Sequence, residues 1–322
     1  MKYIVGAYAT APSLALNDKS LERKFYEKLI DSIPQIRGLE IPFFGEEIHQ
    51  FGTNFLLDII NPHWDNVLTC IPGTMTHLSK QPSFGLASDN NEGRRNAIAM
   101  YQRVHRTLKM MNDKYGRKSI IALHIVTAPS IGKTGVKSSI DSFVKSLDQI
   151  MSWNWDGARI VVEHCDRFVP DEPFEKGFMS IEDEIKGLLK ISNLYNIGLT
   201  INWARSAIEG RSVNTPIQHL KLASVNRILS GLIFSGVSSN DELYGEWKDT
   251  HMPFAYSYNS NYYEEKSLLT KENIKRTLAC IELEKLDYLG VKLLSMPIEK
   301  SNIERRVGIN SDAISILDQI LL

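Results

Sequence analysis

The chain has 322 residues, 43% of them hydrophobic and 23% charged, with a formal net charge of -1. That length suits one large domain or two smaller ones with a substantial core, and the near-zero charge gives no electrostatic footing for nucleic acid or an anionic membrane. Its three cysteines, Cys70, Cys165 and Cys280, are odd in number and widely spaced, which argues against a disulfide framework or a cysteine-rich zinc cluster and fits a reducing cytoplasm.

Residues 3–9, YIVGAYA, read as a first strand rather than a signal peptide, because no long apolar core develops after Lys2. No later segment approaches the ~20 apolar residues of a membrane span. Residues 20–33 show helical spacing with Ser20 as the cap. Residues 38–43 give a second strand containing Glu40, and 53–60 a short helix. Residues 66–72 form strand three, followed by a loop from Gly73 to about Asn90 that is longer than most and so reads as functional. A long amphipathic helix covers 91–114 and stops at Gly116. Strand four, 118–127, carries His124 in its later half, and 138–152 is a helix.

The stretch from Gly157 to Asp166, GARIVVEHCD, is a turn and then a buried strand built on Val161 and Val162. A loop over 167–179 leads to a helix capped by Ser180, with Asp183 near the capping-box position. Strand six covers 197–204 and runs into the polar segment RSAIEGRS. A helix around 215–226 precedes strand seven at 228–238. A long connection, 239–268, carries WKDTHMP. A helix over 270–286 is capped by Thr270, strand eight covers 291–298, and the last helix starts at Asn310 or Ser311.

Eight strands alternating with eight helices force parallel pairing with right-handed crossovers. An uninterrupted series of that length favours a closed barrel, so the expected fold is α/β, one (β/α)8 TIM barrel spanning 1–322. No GxGxxG follows the first strand, which weakens a dinucleotide-binding reading.

In such a barrel the active site lies at the C-terminal ends of the strands. Those ends carry Glu40, His124, Glu163, His164, Asp166, Asn202, Trp203, Arg205, Ser235 and Lys292, with Asp249 and His251 in the following loop. A carboxylate ending an apolar strand is costly unless it is paired or ligating. Glu163 and Glu40 are therefore the candidate acid/base residues, with His124 assisting. Asn202, Trp203, Arg205 and Lys292 are candidates for substrate binding: the cations for an anionic group and Trp203 for stacking on a sugar ring. Imidazole and carboxylate ligands without thiolate suit Mg²⁺, Mn²⁺, Co²⁺ or Zn²⁺. His164 reads equally as a residue packed behind its strand.

Other chemistries fit less well. Retaining glycosidases need two carboxylates ~5–5.5 Å apart, and strands four and seven end here in His124 and Ser235. Lys292 is the one strand-embedded candidate for a Schiff base. Neither GxSxG nor HExxH occurs.

The segments KYIVGAYATAPS, TCIPGTM, VEHCD, INWARSAIEGRS and WKDTHMP together resemble an uncharacterised bacterial family of domains of unknown function, nearly end to end. By fold that family is similar to the xylose-isomerase-like TIM barrels, which include sugar isomerases, sugar epimerases and inosose-type dehydratases. The resemblance implies a divalent metal held by Glu, Asp, His and Glu at the ends of strands five to eight. Glu163 matches the first. Asn202 stands where the Asp is expected, the His has its nearest counterpart in His251, and strand eight offers Ser295 and then Glu299. With these departures the candidate metal set is a different one, Glu163, Asp166 and His251, or the metal is absent.

The expectation is a cytoplasmic sugar or sugar-phosphate isomerase or epimerase that moves a proton next to a carbonyl, with or without a divalent metal. A small carbohydrate is the expected partner, neither nucleic acid nor membrane is expected, and a homo-oligomer is compatible with the fold. Two other classes are carried alongside: a non-catalytic carbohydrate-binding or regulatory barrel, and a metal-dependent hydrolase.

Overall fold

The computed structural model describes residues 2–321. Eight parallel strands close into a barrel in sequence order, with β8 pairing back onto β1. The strands are β1 (Tyr3–Val5), β2 (Ile36–Pro42), β3 (Asn66–Thr69), β4 (Ile120–Ile125), β5 (Arg159–His164), β6 (Ile197–Asn202), β7 (Leu229–Phe234) and β8 (Tyr288–Val291). Around them lie α1 (Lys19–Ser32), α2 (Thr53–Ile59), α3 (Ile71–Leu78), α4 (Asn91–Tyr115), α5 (Ile140–Met151), α6 (Ile181–Ile191), α7 (Trp203–Gly210), α8 (Thr215–Val225), α9 (Lys271–Leu278) and α10 (Ile303–Leu321). The fold is a (β/α)8 TIM barrel.

Side-chain alternation divides each strand between two environments. Ile4, Val67, Ala122, Val161, Ile233 and Tyr288 pack together inside the barrel. Residues two further along the same strands therefore also point inward, at the C-terminal mouth: Thr69 after Val67, His124 after Ala122, Glu163 after Val161. The barrel floor is apolar and the mouth polar. Gly231 makes room in the floor, since a Cβ there would lie 2.2 Å from the Tyr288 ring. The outward-facing residues join the main core between sheet and helices, where Leu68, Leu123, Val162, Leu199 and Leu232 are fully buried.

Several boundaries differ from those expected. The segment after β3 is not all loop: Ile71–Leu78 is helical, with Pro72 in the first turn, where a missing N–H costs nothing. The α1 cap is Asp18, which accepts from the Ser20 and Leu21 amides, rather than Ser20. β1 ends at Val5 and a 3-10 turn over Ala7–Ala9 follows. β8 lies earlier than expected and ends at Val291, so Lys292 is not strand-embedded but the first residue beyond it. β6 gives way at once to α7, whose cap is Asn202. The helix over 270–286 shortens to Lys271–Leu278, and the last helix starts at Ile303.

Candidate active site

Two ion pairs cross the barrel mouth. Lys292 Nζ lies 2.7 Å from Glu40 Oε1, and Arg205 Nη1 lies 2.6 Å from Glu163 Oε1. All four side chains are buried. Asn202 donates its side-chain N–H to the same Glu163 oxygen at 3.2 Å. Each carboxylate is thereby held by one oxygen. The other oxygens, Glu40 Oε2 and Glu163 Oε2, are buried without a hydrogen-bond partner, as is His124 Nδ1. Glu40, His124 and Glu163 each bring one ligating atom within 4.8 Å of the others. Nδ1 of His124 sits 3.2 Å from Glu163 Oε2 without the alignment of a hydrogen bond.

A second layer holds these groups. His124 Nε2 meets the Tyr288 hydroxyl at 2.7 Å, and that hydroxyl also meets Thr200. The Tyr8 hydroxyl donates to Glu40 Oε1 at 3.4 Å, and Lys292 Nζ stands 5.1 Å from the Tyr8 ring centroid. Arg205 Nε reaches Asp249 Oδ2 at 3.0 Å, and Lys176 Nζ reaches the same oxygen at 3.0 Å. His251 Nδ1 lies 2.9 Å from Ser235 Oγ and 3.3 Å from Asp249 Oδ1. His251 has a left-handed backbone, φ 53°, uncommon for a residue with a Cβ. Such positions cluster at functional sites.

The electrostatics follow from burial and pairing. Burial pushes the Glu163 carboxyl up, but Arg205, Lys292 and His124 outweigh it and hold it well below the usual carboxylate range. Burial likewise opposes the Lys292 ammonium, yet Glu40, Tyr8 and Glu163 keep it charged and raise its pKa. Burial lowers His251 to about 3: Asp249 opposes this, but Lys292, Arg205 and Lys176 reinforce it. Around neutral pH the mouth therefore carries an ionised Glu163, two charged cations and a neutral His251.

Glu40, His124, Glu163, Asn202, Arg205 and Lys292 thus meet at one place. Three expectations do not hold. Trp203 faces away from the mouth: its indole N–H donates to Thr277 of α9 at 3.0 Å, and the ring is fully buried in the outer core. Asp166 does not point to a ligand: its oxygens accept the backbone N–H groups of Glu175 and Lys176 at 2.7–3.1 Å and so pin the loop after β5. Hence Glu163, Asp166 and His251 form no convergent ligand set among the described residues.

His164 turns to the outside of the barrel. Its Nδ1 lies 2.7 Å from Glu184 Oε2 and its Nε2 3.1 Å from Glu209 Oε2. Burial opposes the imidazolium, but the two carboxylates overcome it and raise His164 to about 10. Lys176, Tyr8 and Tyr288 carry no sequence signal of their own. Only their place in the folded mouth marks them.

A family described as Domain of unknown function (DUF4862) matches residues 4–309. The chain belongs to that family. A relative from Salmonella typhimurium, the uncharacterized protein STM3670, is 35% identical over 315 residues, 98% of this chain and 96% of the relative. Among solved structures, a xylose isomerase domain containing protein of the same organism superposes with a TM-score of 0.58 at 8% identity, over 100% of this chain and 98% of the other. A D-psicose 3-epimerase determined in the presence of D-fructose gives 0.58 at 11% identity, over 100% and 99%. At such identities the likeness is one of fold.

The metal set implied by that fold does not fit the residues present. Glu163 stands in the first place, but Asn202 offers an amide that donates to Glu163. Ser235, at the end of strand seven, is bonded to His251. Strand eight presents the ammonium of Lys292, which cannot ligate while charged, and Ser295 is bonded to Ser301 at 2.8 Å. The convergent atoms of Glu40, His124 and Glu163 remain a chemically acceptable trio for a divalent ion. Two buried cations already neutralise its carboxylates.

No helix among the described residues is long and apolar enough to cross a membrane.

Proposed function

We propose that the chain is a sugar or sugar-phosphate isomerase that moves a proton next to a carbonyl, with Glu163 as the base. One observation carries this reading. Glu40 and Glu163 each keep one buried, unpartnered oxygen, and the two residues converge with His124. A buried acceptor without a partner is costly, so its natural use is a proton or hydroxyl supplied by a ligand.

In this reading the ionised Glu163 takes the proton from the carbon next to the carbonyl, leaving an enediolate. Lys292 and Arg205 stabilise the developing oxyanion as fixed charges in a water-poor site. Glu40 exchanges the hydroxyl proton, and Glu163 returns its proton to the neighbouring carbon. No net redox change occurs. Because Glu40 and Glu163 are brought together rather than set on opposite sides of an open gap, they address one face of a substrate seated over them. That favours aldose–ketose isomerisation over epimerisation, where a proton leaves one face and arrives at the other. The same two cations suit a substrate with an anionic end. A divalent ion is not required by this scheme, since Lys292 and Arg205 already provide the positive charge. The three free cysteines accord with a cytoplasmic location.

The test is proton exchange. Wild-type protein is incubated in D2O with a panel of aldoses, ketoses and their phosphates, and deuterium entering the carbon next to the carbonyl is followed by NMR. Exchange by wild type and its loss in Glu163→Gln are expected. No exchange with any member of the panel, or exchange at an undiminished rate in Glu163→Gln, overturns the reading.

A further inference from the structure

Outside the barrel, behind β5, a second group of ligating side chains converges. His164 at the end of β5, Glu209 in α7 and His219 in α8 each bring one ligating atom within 4.8 Å of the others. His164 Nε2 lies 3.1 Å from Glu209 Oε2, and His219 Nε2 lies 3.5 Å from Glu209 Oε1. Zinc–nitrogen and zinc–oxygen bonds are roughly 2.0–2.2 Å, so tetrahedral ligands stand ~3.3 Å apart. The observed spacings bracket that figure.

We propose that His164, Glu209 and His219 form a binding site for a divalent transition metal, zinc above all, separate from the barrel mouth. The outer partners of the two imidazoles support it. His164 Nδ1 is fixed by Glu184 Oε2 at 2.7 Å, and the other oxygen of Glu184 accepts from Thr127 Oγ1 at 2.6 Å. His219 Nδ1 is held by Ser206 Oγ at 2.9 Å. Each ring is thus oriented through Nδ1 by a neighbour, leaving Nε2 for the common point. That is the arrangement in which metal-ligating histidines are held. The His164 ring has a carboxylate on both sides, so the gap between Nε2 and Glu209 calls for a cation, either a proton or a metal ion.

The site also has an entry. Glu209 and His219 line a surface cleft of about 420 Å³, together with Arg167, Glu182 and Gln218. With three protein ligands, a fourth position faces this cleft for water or a small ligand. The Arg167 backbone N–H donates to Glu209 Oε2 at 2.9 Å and fixes that carboxylate, while Arg167 Nε, 3.3 Å from Glu209 Oε1, belongs to a side chain that is 46% exposed and can swing into solvent. Two imidazoles and one carboxylate select zinc, cobalt or nickel over magnesium or calcium. Among the described residues, no side-chain hydrogen bond or ion pair joins His164, Glu209, His219 and their outer partners to the mouth residues named above, so this proposal stands whatever the reaction there.

Chelator-treated full-length protein is titrated with Co²⁺, followed by visible absorption, and then with Zn²⁺, followed by equilibrium dialysis with elemental analysis. One ion per chain is expected, with at least tenfold weaker binding in His219→Ala and in Glu209→Gln and unchanged binding in Glu163→Gln. Circular dichroism checks that the variants are folded, and Glu209→Gln keeps the side-chain shape should His219→Ala disturb packing. Absence of uptake by wild type overturns the proposal. So does uptake that both cleft variants retain, or uptake lost in Glu163→Gln but kept in His219→Ala, which assigns the ion to the barrel mouth.

Discussion

Lys292 and Glu40, 252 positions apart in the chain, form a buried ion pair at 2.7 Å that reaches across β1, the strand between β8 and β2. Taking one partner away leaves a charge in a site that excludes water. Lys292→Met is expected to destabilise the protein by about 3–5 kcal/mol, read from urea unfolding. The double variant Glu40→Gln/Lys292→Met should recover part of that loss, because the stranded carboxylate is gone. If the double variant is as unstable as the sum of the singles, the pair is not coupled.

Arg205 acts on Glu163 as a charge as well as a support. It holds the carboxyl well below its usual range, so Glu163 stays ionised into acid solution. Removing the guanidinium in Arg205→Gln must raise that pKa. The acid limb of the rate of deuterium exchange should then move to higher pH, while Arg205→Lys moves it less. An unmoved limb would mean that another group governs the acid limb. Glu163→Gln itself should lower exchange by about 10²–10⁴-fold.

Two histidines should give stability opposite pH dependences, measured on metal-free protein. His251 is lowered to about 3 in the folded chain, against 6.5 for an ordinary histidine. Between those values the unfolded chain binds the extra proton, so stability from this residue is full above about 6.5 and falls as pH drops towards 3. His164 is raised from 6.5 to about 10. There the folded chain holds the proton longer, so its contribution is full below about 6.5 and is lost as pH climbs through 10. Urea unfolding from pH 4 to 10 should show both slopes. His251→Gln should flatten only the acid one, and Glu184→Gln should flatten the alkaline one.

The floor of the barrel sets a packing limit. In Gly231→Ala the new methyl would meet the Tyr288 ring at 2.2 Å, so the ring must move. A loss of about 1–3 kcal/mol is expected from overpacking, with reduced exchange activity because Tyr288 orients His124. Full activity in this variant would show that Tyr288 placement does not matter to the chemistry.

The alternation of apolar runs with amphipathic segments was enough to read the barrel and to put Glu40, His124 and Glu163 at its mouth. Alternation alone also sends Trp203 outward once Asn202 points in, but β6 ending in a helix hid that register. α3 was hidden because Pro72-Gly73 resembles a turn, although proline is favourable in a first helical turn. Asp166 looked like a ligand because its partners are backbone amides nine to eleven residues on, and no side-chain pattern records them. The apolar run 291–298 hides that Lys292 lies just beyond its strand, and its pairing with Glu40 depends on barrel closure, which no local spacing expresses.

The Tyr288 hydroxyl, lodged between His124 Nε2 and Thr200, has one hydrogen to give. When that hydrogen goes to Thr200, the oxygen can only accept from His124. Nε2 then carries the imidazole hydrogen, and Nδ1 turns a lone pair towards Glu163. When the hydroxyl turns to His124, the tautomer inverts and Nδ1 carries the hydrogen, 3.2 Å from Glu163 Oε2. Rotation of a single O–H bond in the barrel floor therefore exchanges donor for acceptor at the mouth. A bound molecule can select either state without moving the backbone.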